Sequence, residues 1–318
     1  MSGHDEKLTI TEIFWRDHCV WLKEYGYKVR PRFQPGWKPS WTGTNKLSML
    51  CEDSQREVRS YNFMDPIDLS SGKAVALKRI RHLDNPHELE IGIFLAQSTD
   101  PRNHCVPIFR ELPVPDKDNH ITHTYGRGTT PQFRAIGEGV QSFKEMLEAL
   151  QFLHQQNIAH QRGQVSKDVR PTLKSAARKD LRYDYSGPVL YCRRNERPPK
   201  YYSIDFDLSN RYNTDDLPVA EPVLGDDQTV PEAIDITSIC DPFVVVYYPG
   251  NALRAFLPEG TTANYMIRKG LQGMKSFGFM RLFVMAMIEP DPAKCIKIDE
   301  AVERFTAIEN GLSNGTAR

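Results

Sequence analysis

Apolar residues fall into a helical pattern at the start of the chain. Ile10, Ile13, Phe14, Trp21 and Tyr25 share one side of a helix. Thr9, followed three residues later by Glu12, is the signature of a capping box that opens it, and Gly26 is placed to close it. The next stretch, RPRFQPGWKPSW, mixes proline with aromatic residues and predicts an extended run across a surface. From Val58 to Tyr125 the pattern turns to strands. Residues 73–80, rich in Val and Ala, and residues 104–112 are β candidates. Between them, residues 86–96 predict a short helix with Pro86 in its first turn.

The second half reads as helical. Val140, Phe143, Met146, Leu147, Leu150, Phe152 and Leu153 follow helical spacing, and the helix should end near Asn157. Residues 266–288 and 298–308 are further helix candidates, and NGLSNGTAR reads as a frayed tail. Strands first and helices after predict an α+β fold with two lobes. In this division residues 1–50 are a helix and a Pro/Trp-rich arm packing on the first lobe. Residues 51–308 form the main domain, with a strand-rich N-lobe to about 130 and a helical C-lobe over 131–308; residues 309–318 are a flexible tail.

Composition narrows the function classes. The 318 residues suffice for one large domain or two lobes about a cleft. Lys and Arg number 41, as do Asp and Glu, so no global field draws the chain to nucleic acid or membrane. The N-terminus lacks the basic start and apolar core of a signal peptide, and no run nears the roughly 18 apolar residues of a span. Cys19, Cys51, Cys105, Cys192, Cys240 and Cys295 are scattered, with no CxxC pair, which argues for a reducing compartment and against structural zinc. The expectation is an intracellular protein of cytoplasm or nucleus with no membrane partner. One local feature runs the other way: residues 167–200 are basic, with Tyr183, Tyr185 and Tyr191 interleaved. Cations among stacking residues can hold a single strand. The zero net charge favours a solvated loop, and nucleic-acid binding stays the remote alternative.

Several short motifs carry chemistry. VALK ends at Lys78, and Glu90 follows twelve residues on, within HELEIGIFL. IAH ends at His160; IDFDLS contains Asp205, Phe206 and Asp207; VPE ends at Glu232; YYPGN and DPAK follow. In this order and spacing they resemble the signature set of protein kinases. The chain also resembles a kinase-like family expanded in mushroom-forming fungi, through FWRDHCVWLKEYGY, RPRFQPGWKPSW, DPRNHCVPI, RPPKYYSIDF and DPAK, over residues 10–308. The resemblance implies a two-lobed kinase fold with Lys78, Glu90 and Asp205 as nucleotide-binding candidates. Lys78 and Glu90 would form an ion pair, with Asp205 across the cleft as the one carboxylate for a metal. His160, Phe206, Asp207 and Glu232 would be structural motif residues.

The departures decide the functional expectation. In the pattern H-R-D-x-x-x-x-N the aspartate takes the substrate hydroxyl proton and the asparagine holds a metal ion. Counted from His160, those positions are Arg162 and Lys167. Arginine has no acceptor and stays protonated, so it cannot be the base, and a positioned base is worth about 10²- to 10⁴-fold. Lys167 puts a cation where Mg²⁺, which wants oxygen ligands, would sit. Asp205 is expected to pair with one of these two bases. No G-x-G-x-x-G precedes Lys78, and residues 51–71 contain no glycine to drape over phosphates. Asp207 replaces the glycine of Asp-Phe-Gly, where the backbone would adopt positive φ. Val245 replaces an aspartate, and Cys295 replaces the arginine partner of Glu232, which then needs solvent or another base such as Lys294 or Lys297.

These substitutions predict a pseudokinase, a binding or scaffold module for an unidentified protein partner. ATP and Mg²⁺ would enter only with retained activity. The alternative is a weakly active Ser/Thr-type kinase that uses another carboxylate, Asp168 being nearest in sequence, as base.

Overall fold

The computed structural model describes residues 7–54, 62–115, 118–124, 135–160, 165–167, 200–216, 221–222, 239–240, 277–289, 291 and 294–313. The fold is α+β. In chain order, α1 (Ile10–Asp17) and α2 (Cys19–Glu24) lead into β1 (Tyr27–Lys28). The strands β2 (Phe63–Met64), β3 (Ile67–Asp68), β4 (Lys73–Ala74) and β5 (Ala76–Arg81) precede α3 (Glu88–Ala96). Next come β6 (Ile108–Leu112), β7 (Asn119–Thr124), α4 (Ile136–Gln155), β8 (Ile158–Ala159) and β9 (Val165–Lys167). The rest are β10 (Tyr201–Ser203), β11 (Asn210–Arg211), β12 (Glu221–Pro222), β13 (Ile239–Cys240), α5 (Arg281–Met287) and α6 (Ile298–Ser313).

The chain divides into two compact units. The first comprises Met1–Asp84, Pro107–Thr129 and Lys167–Pro199, and the second Asn85–Val106, Thr130–Ser166 and Lys200–Arg318. In the first, β2, β5, β7 and β6 make an antiparallel sheet in that order. A smaller sheet runs β1-β3-β4. The predicted strand over 73–80 is thus two strands, one in each sheet.

The capping box is present. Glu12 N donates to Thr9 Oγ1 (3.3 Å), and Thr9 N donates to Glu12 Oε2 (2.8 Å). The predicted single helix is broken at His18, which leaves helical geometry (φ −95°, ψ 4°). The buried face keeps helical spacing across the break through Glu12, Trp15, Cys19 and Leu22, with Phe14, Trp21 and Tyr25 partly buried beside it. Ile10, predicted for the apolar side, is exposed. Gly26 ends the segment at φ 90°, a conformation that costs any other residue a clash at Cβ.

The arm after β1 corrects a second expectation. Pro31–Phe33 is a turn of 3₁₀ helix, and Val29, Arg30, Arg32, Phe33 and Trp41 are buried rather than laid along a surface. Ion pairs make this burial tolerable. Arg32 forks onto Glu12 (Nε–Oε1 2.7 Å, a second nitrogen to Oε2 3.2 Å) and donates to the Lys7 carbonyl (2.8 Å). Arg30 grips Asp65 by two bonds of 2.8 and 2.6 Å. Asp53 accepts from Trp37 Nε1, Ser40 N and Ser40 Oγ. Burial pushes the Asp53 pKa up, but these hydrogen bonds outweigh it and hold the group below its ordinary value.

In the second unit the main core joins α4 to α5 and α6 and takes in Tyr201 of β10. A smaller core gathers Ile91 and Leu95 of α3, Phe152 and Leu153 of α4, and Ile158 and Phe206. The helix predicted over 86–96 starts at Glu88, so Pro86 precedes its first turn. Of the strand predicted over 104–112, only residues 108–112 form one, while Cys105 makes a single parallel bridge to Ser203. Within 266–288 the described part is a 3₁₀ turn, Gly278–Met280, running into α5. The tail expectation fails at its start: α6 continues to Ser313, with Ile308 and Leu312 packed against the main core. No helix among the described residues is long and apolar enough to cross a membrane.

Candidate functional site

The site candidates converge where α4 ends. Asn157 takes positive φ (57°), which only Gly and Asn adopt readily, and turns the chain into β8. β8 pairs with β11, Ala159 opposite Asn210 and Ile158 opposite Arg211. His160 follows directly and is buried against the segment between β10 and β11. Its Nε2 lies 3.0 Å from the Ile204 carbonyl oxygen. A carbonyl only accepts, so Nε2 carries the proton. In the neutral ring Nδ1 is then an acceptor, and Ser209 Oγ donates to it over 3.5 Å. The ring also stacks on Phe206, with centroids 4.8 Å apart and planes at 26°.

Asp205 has left-handed backbone (φ 71°, ψ 65°). For a non-glycine residue this costs of order 1–3 kcal/mol and persists only where its surroundings enforce it. The positive φ expected at Asp207 is therefore found two residues earlier. Phe206–Leu208 is a right-handed 3₁₀ turn, closed by Ser209 N donating to the Phe206 carbonyl (3.0 Å). The reversal must come before that turn, and Asp205 absorbs it.

The structure thus brings together His160, Asp205, Phe206 and Asp207, which are 45 or more residues apart in sequence from one side to the other. Lys78 lies in the first unit, on β5, buried, with Nζ 5.5 Å from the Phe63 ring centroid. Glu90 is exposed on α3, in the second unit; the buried acid of that helix is Glu88. Arg162, Glu232 and Val245 lie outside the described residues, as does the side chain of Lys167, which ends β9. Lys294 is engaged by Asp291 (2.8 Å), and the Cys295 thiol donates to the Met287 carbonyl (3.2 Å). No group of three or more His, Cys, Asp or Glu among the described residues is arranged to hold a metal.

Sequence reasoning missed a second polar cluster beside the site. Glu145 of α4 and His104 are both buried. Glu145 Oε2 accepts from the backbone N of Tyr201 (2.6 Å), and Oε1 accepts from Gln141 Nε2 (2.6 Å). His104 Nδ1 is 3.7 Å from Glu145 Oε2, and His104 Nε2 is 3.2 Å from Glu148 Oε2. The available signal was an acid at a core-facing helical position, four residues before buried Ala149 and seven before Phe152.

A scan of protein-family models finds none that matches this chain, and a search of curated proteins finds no match either.

Proposed function

We propose that the chain is a protein-kinase-like domain that has lost phosphoryl transfer and serves as a binding or scaffold module. The observation that carries this reading is the seating of His160 on Ile204 and Phe206, with Asp205 held in a left-handed turn. An Ile-Ala-His and an Asp-Phe pair, assigned to one site by motif order alone, meet by hydrogen bond and ring stack. On this reading α3 is the helix that carries the glutamate, and Phe206 packs against its Ile91 and Leu95.

The donor set does not fit Mg²⁺. Asp205 offers oxygen, but the residue in the amide position is Lys167, an ammonium with no acceptor. The base position, Arg162, is equally unable to take a proton. On this reading Lys167 would supply a cation in the metal's place, and neither Arg162 nor Lys167 can take the proton of a substrate hydroxyl.

The test is γ-phosphate transfer from labelled ATP, to the chain itself and to a generic Ser/Thr peptide mixture. The wild-type chain is expected to give none above the rate without protein. Arg162→Asp with Lys167→Asn together restore the base and the amide; Mg²⁺-dependent nucleotide binding appearing only in that variant supports the reading. Transfer by the wild-type chain, abolished by Asp168→Asn, would establish the active-kinase alternative instead.

A further inference from the structure

We infer that Glu145 and His104 are positioning residues for Asp205, forming a buried clamp that sets the Asp205 turn with no ligand bound. The inference rests on reading Asp205 as the site's carboxylate. It starts from an energetic oddity: a carboxylate in the helix core is costly to desolvate unless well partnered. Glu145 is 7% exposed and His104 6%.

What the two residues hold explains the cost. β10 is three residues long and supplies the backbone that reaches Asp205 two residues later. Its first amide, Tyr201 N, donates to Glu145 Oε2 (2.6 Å). Its last, Ser203 N, donates to the His104 carbonyl (2.6 Å), and the Ser203 carbonyl accepts from Val106 N (2.9 Å). His104 therefore meets β10 through its carbonyl, while its ring Nδ1 lies 3.7 Å from Glu145 Oε2, near it but not hydrogen-bonded to it. Glu148, one turn along α4, holds the far nitrogen of that ring (3.2 Å).

His160 holds the residues on either side of Asp205, the Ile204 carbonyl just before it and the Phe206 ring just after it. The strained residue is thus gripped on both sides, which is the condition for left-handed backbone at a non-glycine position to persist. The side-chain carboxylate bond is the element that sequence-local forces cannot supply. Without it, Tyr201 N–H loses its buried carboxylate acceptor, which loosens the strand locally.

Hydrogen exchange of the ligand-free full chain tests the clamp, comparing Glu145→Met, which keeps the shape and loses the acceptor, with Glu145→Gln, which keeps an acceptor oxygen. The clamp predicts amides over 203–207 exchanging about tenfold faster in Glu145→Met, with α6 amides unchanged, and within about twofold of wild type in Glu145→Gln. Equal exchange in the two variants, or an equal rise in α6, overturns it by showing only general core loosening. Nucleotide is absent from this measurement, so its outcome is separate from that of the ATP experiments, which test the reading of Asp205.

Discussion

Single residues carry sharp consequences in this chain. His160→Phe keeps a ring on Phe206 but takes the imidazole donor from the half-buried Ile204 carbonyl. Urea unfolding should show a loss of about 1–3 kcal/mol. An unchanged midpoint and slope would mean the hydrogen bond is not made. His154, near the end of α4, has its pKa lowered to about 4 from 6.5, mainly by burial and slightly by His160, against an upward pull from Asp299. Between those values the unfolded chain binds more protons than the folded one, so stability rises with pH from about 4 to 6.5. His154→Gln should flatten that part of a stability–pH curve; an unaltered slope would assign it to other groups. Legibility was uneven at this scale. Both motifs, Ile-Ala-His and Asp-Phe-Asp, stood out in the sequence, but their contact through Ile204 and Phe206 comes from the structure. The left-handed residue was misplaced by two positions because the 3₁₀ turn that forces it is set by local closure, not by residue type. Glu145 was unreadable because an acid on a helix is normally solvated, and its reason for burial, an amide of β10, lies 56 residues away.

At the scale of elements, α1 depends on its cap and on the arm. Thr9→Ala removes the side-chain acceptor at Glu12 N and should cost about 1 kcal/mol in unfolding. Arg32→Ala strands the buried carboxylate of Glu12 and should cost about 3–5 kcal/mol. Trp37, whose ring lies 4.8 Å from the Arg32 guanidinium, is a local fluorescence reporter of arm undocking. An Arg32→Ala loss below about 1 kcal/mol would place this pair among ordinary surface ion pairs. Boundaries in 73–157 shifted: 73–80 is two strands, and the elements expected at 86 and 104 begin at Glu88 and Ile108. Element types there were largely legible because period and turn residues agree. The arm was not: its prolines and aromatics look like a surface run, and its burial depends on Glu12, Asp65 and Asp53, which composition cannot pair with it.

At the scale of the molecule, the chain is an α+β protein in two units with balanced charge. On the proposed reading, kinase-like motifs are kept for architecture while the base and metal positions have become the cations Arg162 and Lys167. A thermal-shift titration with ATP, with and without Mg²⁺, tests this most directly, because a ligand of the folded state raises stability by about 2.7 kcal/mol at a hundred times its dissociation constant. No shift that requires Mg²⁺ is expected: either none at all, as for a scaffold that ignores nucleotide, or one already complete without metal, as for a built-in cation. A shift that appears only when Mg²⁺ is added would contradict it.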